Sequence, residues 1–82
     1  MDYLIQTPTQ LGIHLRSRRH ALKLTQAKTA DSLNLSQKRL STLERNPDRL
    51  TVAQLLALAS AMNMEVVLRE RPQLKPSASG EW

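Results

Sequence analysis

The run Gln37-Lys38-Arg39-Leu40-Ser41-Thr42-Leu43 packs carboxamide, ammonium, guanidinium and hydroxyl groups into two helical turns. Leu40 and Leu43 sit at the spacing of an inward helical stripe, which leaves Gln37, Lys38, Ser41 and Thr42 for other faces. These side chains are hydrogen-bond donors and acceptors of the sort that reads a base edge. A glutamine can bond adenine bidentately and a lysine can donate to guanine, each contact contributing about 1–3 kcal/mol of discrimination. Ser36, Ser41 and Arg45 suit phosphate oxygens, which fix register and not sequence, and Arg39 suits either.

Other chemistry finds little material. The chain has 82 residues, two histidines and no cysteine. His14 and His20 are six positions apart, which does not bring them together on a helix face, and no carboxylate cluster completes a metal site. Glycine occurs twice, too rarely for a phosphate-cradling loop, and no serine has a base in a recognisable triad arrangement. The expectation is a protein that is not an enzyme and needs no metal or cofactor.

Charge points the same way as the donors. The formal net charge is +5 and the pI is about 10.5. Eight lysines and arginines between Gly12 and Arg45 face only Asp31 and Glu44, whereas the rest of the chain holds four basic and five acidic residues. A concentrated basic block favours a polyanion. With no apolar run of membrane-spanning length and no signal-peptide pattern at "MDYLIQTPTQ", the expected location is the cytoplasm, on the nucleoid.

Four to five helices are expected to position these groups, four of which can be placed. Thr7, Pro8 and Gln10 form a capping box ahead of a helix with Leu11, Leu15 and Leu22 on its apolar stripe. Thr25 caps a short second helix that ends at Asn34, a residue tolerant of the left-handed conformation. Ser36 caps the third, Asn46-Pro47-Asp48 makes a turn, and Thr51 with Gln54 repeats the capping box. The fourth helix then carries Val52, Leu55, Leu56, Ala59 and Met62 as its apolar stripe. In "MEVVLRE" the period changes to two, so Met64, Val66 and Leu68 line one face of a short strand. A lone strand needs a partner, either "YLIQ" at the N-terminus or the same strand of a second copy. From Pro72 onward the composition predicts a disordered tail.

Two short helices joined by a tight turn, with small Ala30 at their contact and Leu33, Leu35, Leu40 and Leu43 as apolar pegs, form a helix-turn-helix pattern. From Leu15 to Met64 the chain resembles the Cro/C1-type, or XRE, repressor family, carried by "LTQ", the alanine four residues on, "LS" and "LSTLER". The resemblance implies that Gln26 binds a phosphate at the start of the second helix. It implies that Gln37 and Lys38 read bases, with Arg39, Ser41 and Thr42 beside them, and that Thr25, Lys28, Ser36 and Arg45 add phosphate contacts. It also implies a structural pairing of Arg19 with Glu44. Lys28 and Thr29 depart from the family pattern, which has an acidic and an apolar residue there.

A closer resemblance is to the HipB-type antitoxins, on "TPTQLGIHLRSRR", "LERNPDRLT", "MEVVLRE" and the final "EW". It implies a dimeric repressor of its own operon that also holds a HipA-type serine/threonine kinase toxin, with Trp82 as an anchor in that partner. The expected architecture is therefore all-α, with an N-terminal arm (1–6), a helix-turn-helix and dimerisation domain (7–69) and a disordered tail (70–82). One short C-terminal strand forms an intersubunit two-stranded sheet through Met64, Val66 and Leu68. The partners expected are operator DNA, a second copy and the kinase. A stand-alone Cro/C1-type regulator without a toxin is the alternative, and a module whose basic face binds an acidic protein is a third reading.

Overall fold

A computed structural model of the chain describes residues 1–72. Four α-helices follow one another: α1 Pro8–Ala21, α2 Gln26–Ser32, α3 Gln37–Arg45 and α4 Val52–Ala61, with a 3-10 turn at Pro47–Arg49 before α4. The all-α helix-turn-helix class expected from the sequence is the class observed.

Each helix begins where a hydroxyl can cap it. Thr7, Thr25, Ser36 and Thr51 are the four N-caps, and each accepts a hydrogen bond from the backbone N–H three residues on. At Thr7 and Thr51 the glutamine at that third position reaches back to the cap's own N–H, completing both capping boxes. A cap of this type stabilises a helix by about 1 kcal/mol.

The helix ends share a second device. Lys23, Asn34 and Asn63 all have positive φ, between 56° and 59°. Beyond α2, the Asn34 N–H donates to the Asp31 carbonyl and the Leu35 N–H to the Ala30 carbonyl, which is the Schellman arrangement. Lys23 with Leu24 repeats it after α1, and Asn63 with Met64 after α4. The residue following each left-handed position is apolar, and Leu24, Leu35 and Met64 all pack against the core. Each turn therefore ends a helix and folds the next residue inward.

Leu15, Ala30, Leu40, Leu58 and Met62 make the buried cluster, rimmed by Leu11, Leu24, Leu33, Leu35, Leu50, Leu55 and Met64. α2 packs on α3 and α4, while α1 packs on α3 and the 3-10 turn. Ala30 is buried between α2 and its neighbours, the close approach its size was expected to permit. Gly12 has a similar role on α1. A Cβ built there would lie 2.5 Å from Pro47 Cγ and 3.2 Å from the Glu44 carbonyl, so only glycine lets the 3-10 turn seat against α1.

Three apolar positions differ from the sequence reading. Leu22 is exposed because it is the C-cap of α1, beyond the last inward turn. Val52 and Leu56 are exposed on the outer face of α4, and Leu58 is buried in their place. α4 carries leucines on more than one face, so spacing placed Leu55, Ala59 and Met62 inward but did not single out Leu58. The short strand expected over Met64–Leu68 has no ladder in the single chain: among the described residues, 64–72 form no regular element. A strand is defined by its hydrogen-bonded neighbour, and one chain supplies none there.

A buried ion pair crosses the middle of the fold. Arg19 Nε donates to Glu44 Oε2 at 2.7 Å and Arg19 Nη2 to Oε1 at 3.1 Å, a bidentate contact between α1 and α3. Arg19 Nη1 also donates to the Leu24 carbonyl at 3.0 Å. Nearby on α2, Thr29 is buried, and its Oγ1 has no hydrogen-bond partner among the described residues.

Two stability measurements follow from these buried polar groups. Glu44→Ala leaves the Arg19 guanidinium buried without its anion and should cost about 3–5 kcal/mol in urea unfolding, whereas Arg19→Met with Glu44→Leu together should recover most of that. Thr29→Val removes an unsatisfied buried hydroxyl at equal shape, and its expected gain of about 1 kcal/mol should raise Tm by roughly 4–8 °C in calorimetry. A lower Tm for Thr29→Val would mean that the hydroxyl is hydrogen-bonded in solution.

Candidate nucleic-acid interface

α2 and α3 meet through the turn at Leu33–Ser36, with Asn34 supplying the left-handed residue. On α3, Leu40, Leu43 and Glu44 are buried, which fixes the rotation of the helix about its axis. Gln37, Lys38, Arg39 and Arg45 are then exposed, with Ser41 half-buried between them. An open concavity of about 350 Å³ is lined by Gln26, Gln37, Lys38, Ser41 and Arg45. Small-molecule pockets are lined mostly by apolar residues with a few polar ones, whereas all five residues lining this concavity are polar or charged. Five side chains assigned to base or phosphate contact from the sequence thus share one surface.

Their orientations are set by local bonds. Gln26 stands at the start of α2, where its Nε2 donates to Glu44 Oε1 at 2.9 Å. A primary amide has a second N–H, so the bond that anchors Gln26 leaves one donor for an outside acceptor. The same carboxylate that neutralises Arg19 therefore also aims Gln26. Arg45 Nη1 donates to Ser41 Oγ at 3.1 Å, folding the guanidinium back along α3 and keeping it beside the concavity.

The remaining candidates are placed less directly. Thr25 and Ser36 spend an oxygen lone pair as N-caps, accepting from the Lys28 and Arg39 N–H groups at 3.0 Å. Each hydroxyl keeps its own O–H donor, which can go to a phosphate oxygen. Thr42 is turned back on its helix: it is half-buried and its hydroxyl donates to the Lys38 carbonyl at 3.1 Å. Lys28 is exposed on α2, outside the lining of this concavity. Val66 and Leu68 are exposed, whereas Met64 is half-buried against the core of its own chain. Trp82 lies outside the described residues.

The basic block divides into two populations that its sequence does not separate. Arg19 is buried with Glu44. Arg16 Nη1 donates to the Glu44 carbonyl at 3.3 Å and Arg18 Nε to the Met62 carbonyl at 3.1 Å, so both bond helix-end carbonyls, where a cation is favoured. Lys23, Lys28, Lys38, Arg39 and Arg45 are the exposed cations of the block. Arg16 thus serves the end of α3 and Arg18 the end of α4, roles that depend on how the helices pack and carry no signal in the local sequence.

Among the described residues no helix is long and apolar enough to cross a membrane, and no group of three histidines, cysteines or carboxylates could hold a metal ion. No curated protein and no solved structure matches the chain. A family model described as a helix-turn-helix domain matches residues 10–74, which include α2, α3, α4 and all of α1 beyond its first two residues. With the turn, the buried pegs and the polar outer face of α3 in place, the chain belongs to the helix-turn-helix domain family, a class of DNA-binding regulators.

Proposed function

We propose that the protein is a sequence-specific transcriptional repressor that binds palindromic operator DNA as a dimer. The observation that carries this reading is the convergence of Gln26, Gln37, Lys38, Ser41 and Arg45 on one open surface that runs along α3. α3 enters the major groove by its N-terminal end. Gln37 and Lys38 read base edges, with Arg39 and Ser41 beside them, while Thr42 contributes at most an acceptor lone pair. Gln26, Thr25, Ser36, Lys28 and Arg45 hold phosphates, and the protein works in the cytoplasm on the nucleoid.

Dimerisation is proposed through the segment after α4. Val66 and Leu68 leave their apolar side chains uncovered in the single chain, and Val52 and Leu56 extend an apolar surface along α4. Two copies joined there would present α3 and its mate to half-sites about one helical turn, or about 34 Å, apart. Met64 supports that interface from beneath, since it packs inward. In this arrangement residues 1–6 are an arm, 7–69 the working domain and 70–82 a tail.

We propose further, on the HipB-type resemblance, that the protein is the antitoxin of a type II toxin-antitoxin system and neutralises a HipA-type kinase, with Trp82 as an anchor. A lone tryptophan near a chain end is the type of residue that fills a partner's pocket.

DNA binding is tested by anisotropy on an operator selected from random sequence. Gln37→Ala and Lys38→Ala should each lose about 1–3 kcal/mol of preference at one base position. Arg45→Ala should instead weaken all sequences alike and lower the salt slope by about 1. Retained specificity in both α3 variants would remove the recognition-helix assignment. The antitoxin reading is tested by purification from the native host: a co-eluting kinase whose retention drops with Trp82→Ala supports it, and DNA as the sole ligand of both proteins returns the chain to a stand-alone regulator.

A further inference from the structure

The N-terminal arm is more apolar than a solvated leader should be. Met1, Tyr3, Leu4 and Ile5 are all exposed large apolar residues within the first five positions. The arm is nevertheless tied down at two points. The Tyr3 ring lies 4.4 Å from the His14 ring on α1, and Asp2 Oδ2 accepts from Arg69 Nη2 at 3.3 Å. That second contact joins the arm to the segment after α4, 67 positions away in the chain.

An antiparallel alignment with Asp2 opposite Arg69 has one register, and every pair in it matches. Leu4 falls opposite Val67 and Ile5 opposite Val66, apolar on apolar. Gln6 falls opposite Glu65, polar on polar, and Tyr3 opposite Leu68. On one face Tyr3, Ile5 and Val66 are 44%, 37% and 46% exposed, while Leu4 and Val67, on the other face, are 77% and 70% exposed. Leu68 shares the first face but is 98% exposed in the single chain. Shifting the register by one residue would move the whole set of side chains on one strand to the opposite face.

We propose that residues 2–6 form the outer strand of the dimer's sheet, each arm pairing with segment 65–69 of its own chain. The sheet is then four-stranded, running arm, C-terminal segment, the partner's C-terminal segment and the partner's arm. The proposal rests on the dimer reading given above. An isolated two-stranded ribbon is marginal in water, and three or more strands with an apolar face are needed for independent stability. The arm supplies the missing strands and covers the free edge of 65–69 that would otherwise be open to foreign chains. Among the described residues no backbone ladder joins the two segments in the single chain, because 65–69 lacks the partner strand that fixes its other edge.

Because the chain contains no cysteine, engineered pairs report the register cleanly. Directly opposed residues place their Cα atoms about 4.5–5.5 Å apart, within the range a disulfide spans. In the full chain, Leu4→Cys with Val67→Cys should oxidise to a bond within one chain, whereas Leu4→Cys with Leu68→Cys should not. Leu4→Asp should weaken the dimer by about tenfold in sedimentation equilibrium while leaving the helical circular dichroism unchanged, since two arms each lose a cross-strand pair. An intact dimer with equal behaviour of both cysteine pairs and no effect of Leu4→Asp overturns the arm's role and leaves the dimer reading standing. Disulfides between chains overturn the same-chain pairing. A parent chain that sediments as a monomer overturns the dimer reading and this inference with it.

Discussion

The Arg19–Glu44 pair is the constraint on which the rest of the arrangement depends. A cluster of five buried residues does little by itself to fix how four short helices sit relative to one another. The bidentate contact does so with directional bonds, because a guanidinium and a carboxylate meet in one plane at fixed spacing. Both ions are almost fully buried, so each has been taken from water, and the stability of the pair depends on its additional bonds. Arg19 gains the Leu24 carbonyl and Glu44 gains the Gln26 amide. One network thus joins α1, the turn after it, α2 and α3.

That network also carries the site. Gln26 lines the open concavity while Glu44 holds its amide, so the residue that neutralises the core arginine also orients a surface donor. The surrounding charge is apportioned by the same logic. Arg16 and Arg18 bond carbonyls at the ends of α3 and α4, leaving the freely solvated cations on α2, α3 and the turn after α1. Net charge therefore overstates the field available to a polyanion, since part of it neutralises helix termini inside the fold.

The elements were legible wherever a local rule decides the outcome. Thr7, Thr25, Ser36 and Thr51 are caps because a hydroxyl three residues before an unsatisfied N–H has an immediate partner, and neighbouring sequence suffices to see it. Asn34 was legible as a left-handed residue for similar reasons, but Lys23 was not, because lysine has no side-chain device that favours that conformation. The rotation of α4 was legible in part: Leu55, Ala59 and Met62 face inward as their spacing placed them, whereas Val52 and Leu56 face outward and packing against α2 brings in Leu58. At the site, helical spacing placed Gln37, Lys38 and Ser41 together, whereas the inward bond of Thr42 to the Lys38 carbonyl follows from a hydroxyl's freedom to back-bond along its own helix.

Most of the large apolar residues left uncovered lie in the two segments flanking the helices, which bears on how so small a domain persists. Val66, Val67 and Leu68 follow α4, Tyr3, Leu4 and Ile5 precede α1, and Asp2 with Arg69 ties these two ends together. The α3 surface that faces outward is polar, so the apolar and polar surfaces are assigned to different elements. A chain that buried its end segments against a second copy would gain stability from association, and the gain would depend on protein concentration. Operator binding would then draw on the same equilibrium, because DNA that engages two α3 helices at once favours the paired state over the single chain. Folding, pairing and site recognition are in that case one linked equilibrium: the Arg19–Glu44 network orients α3 within each protomer, and the chain ends set the distance between the two.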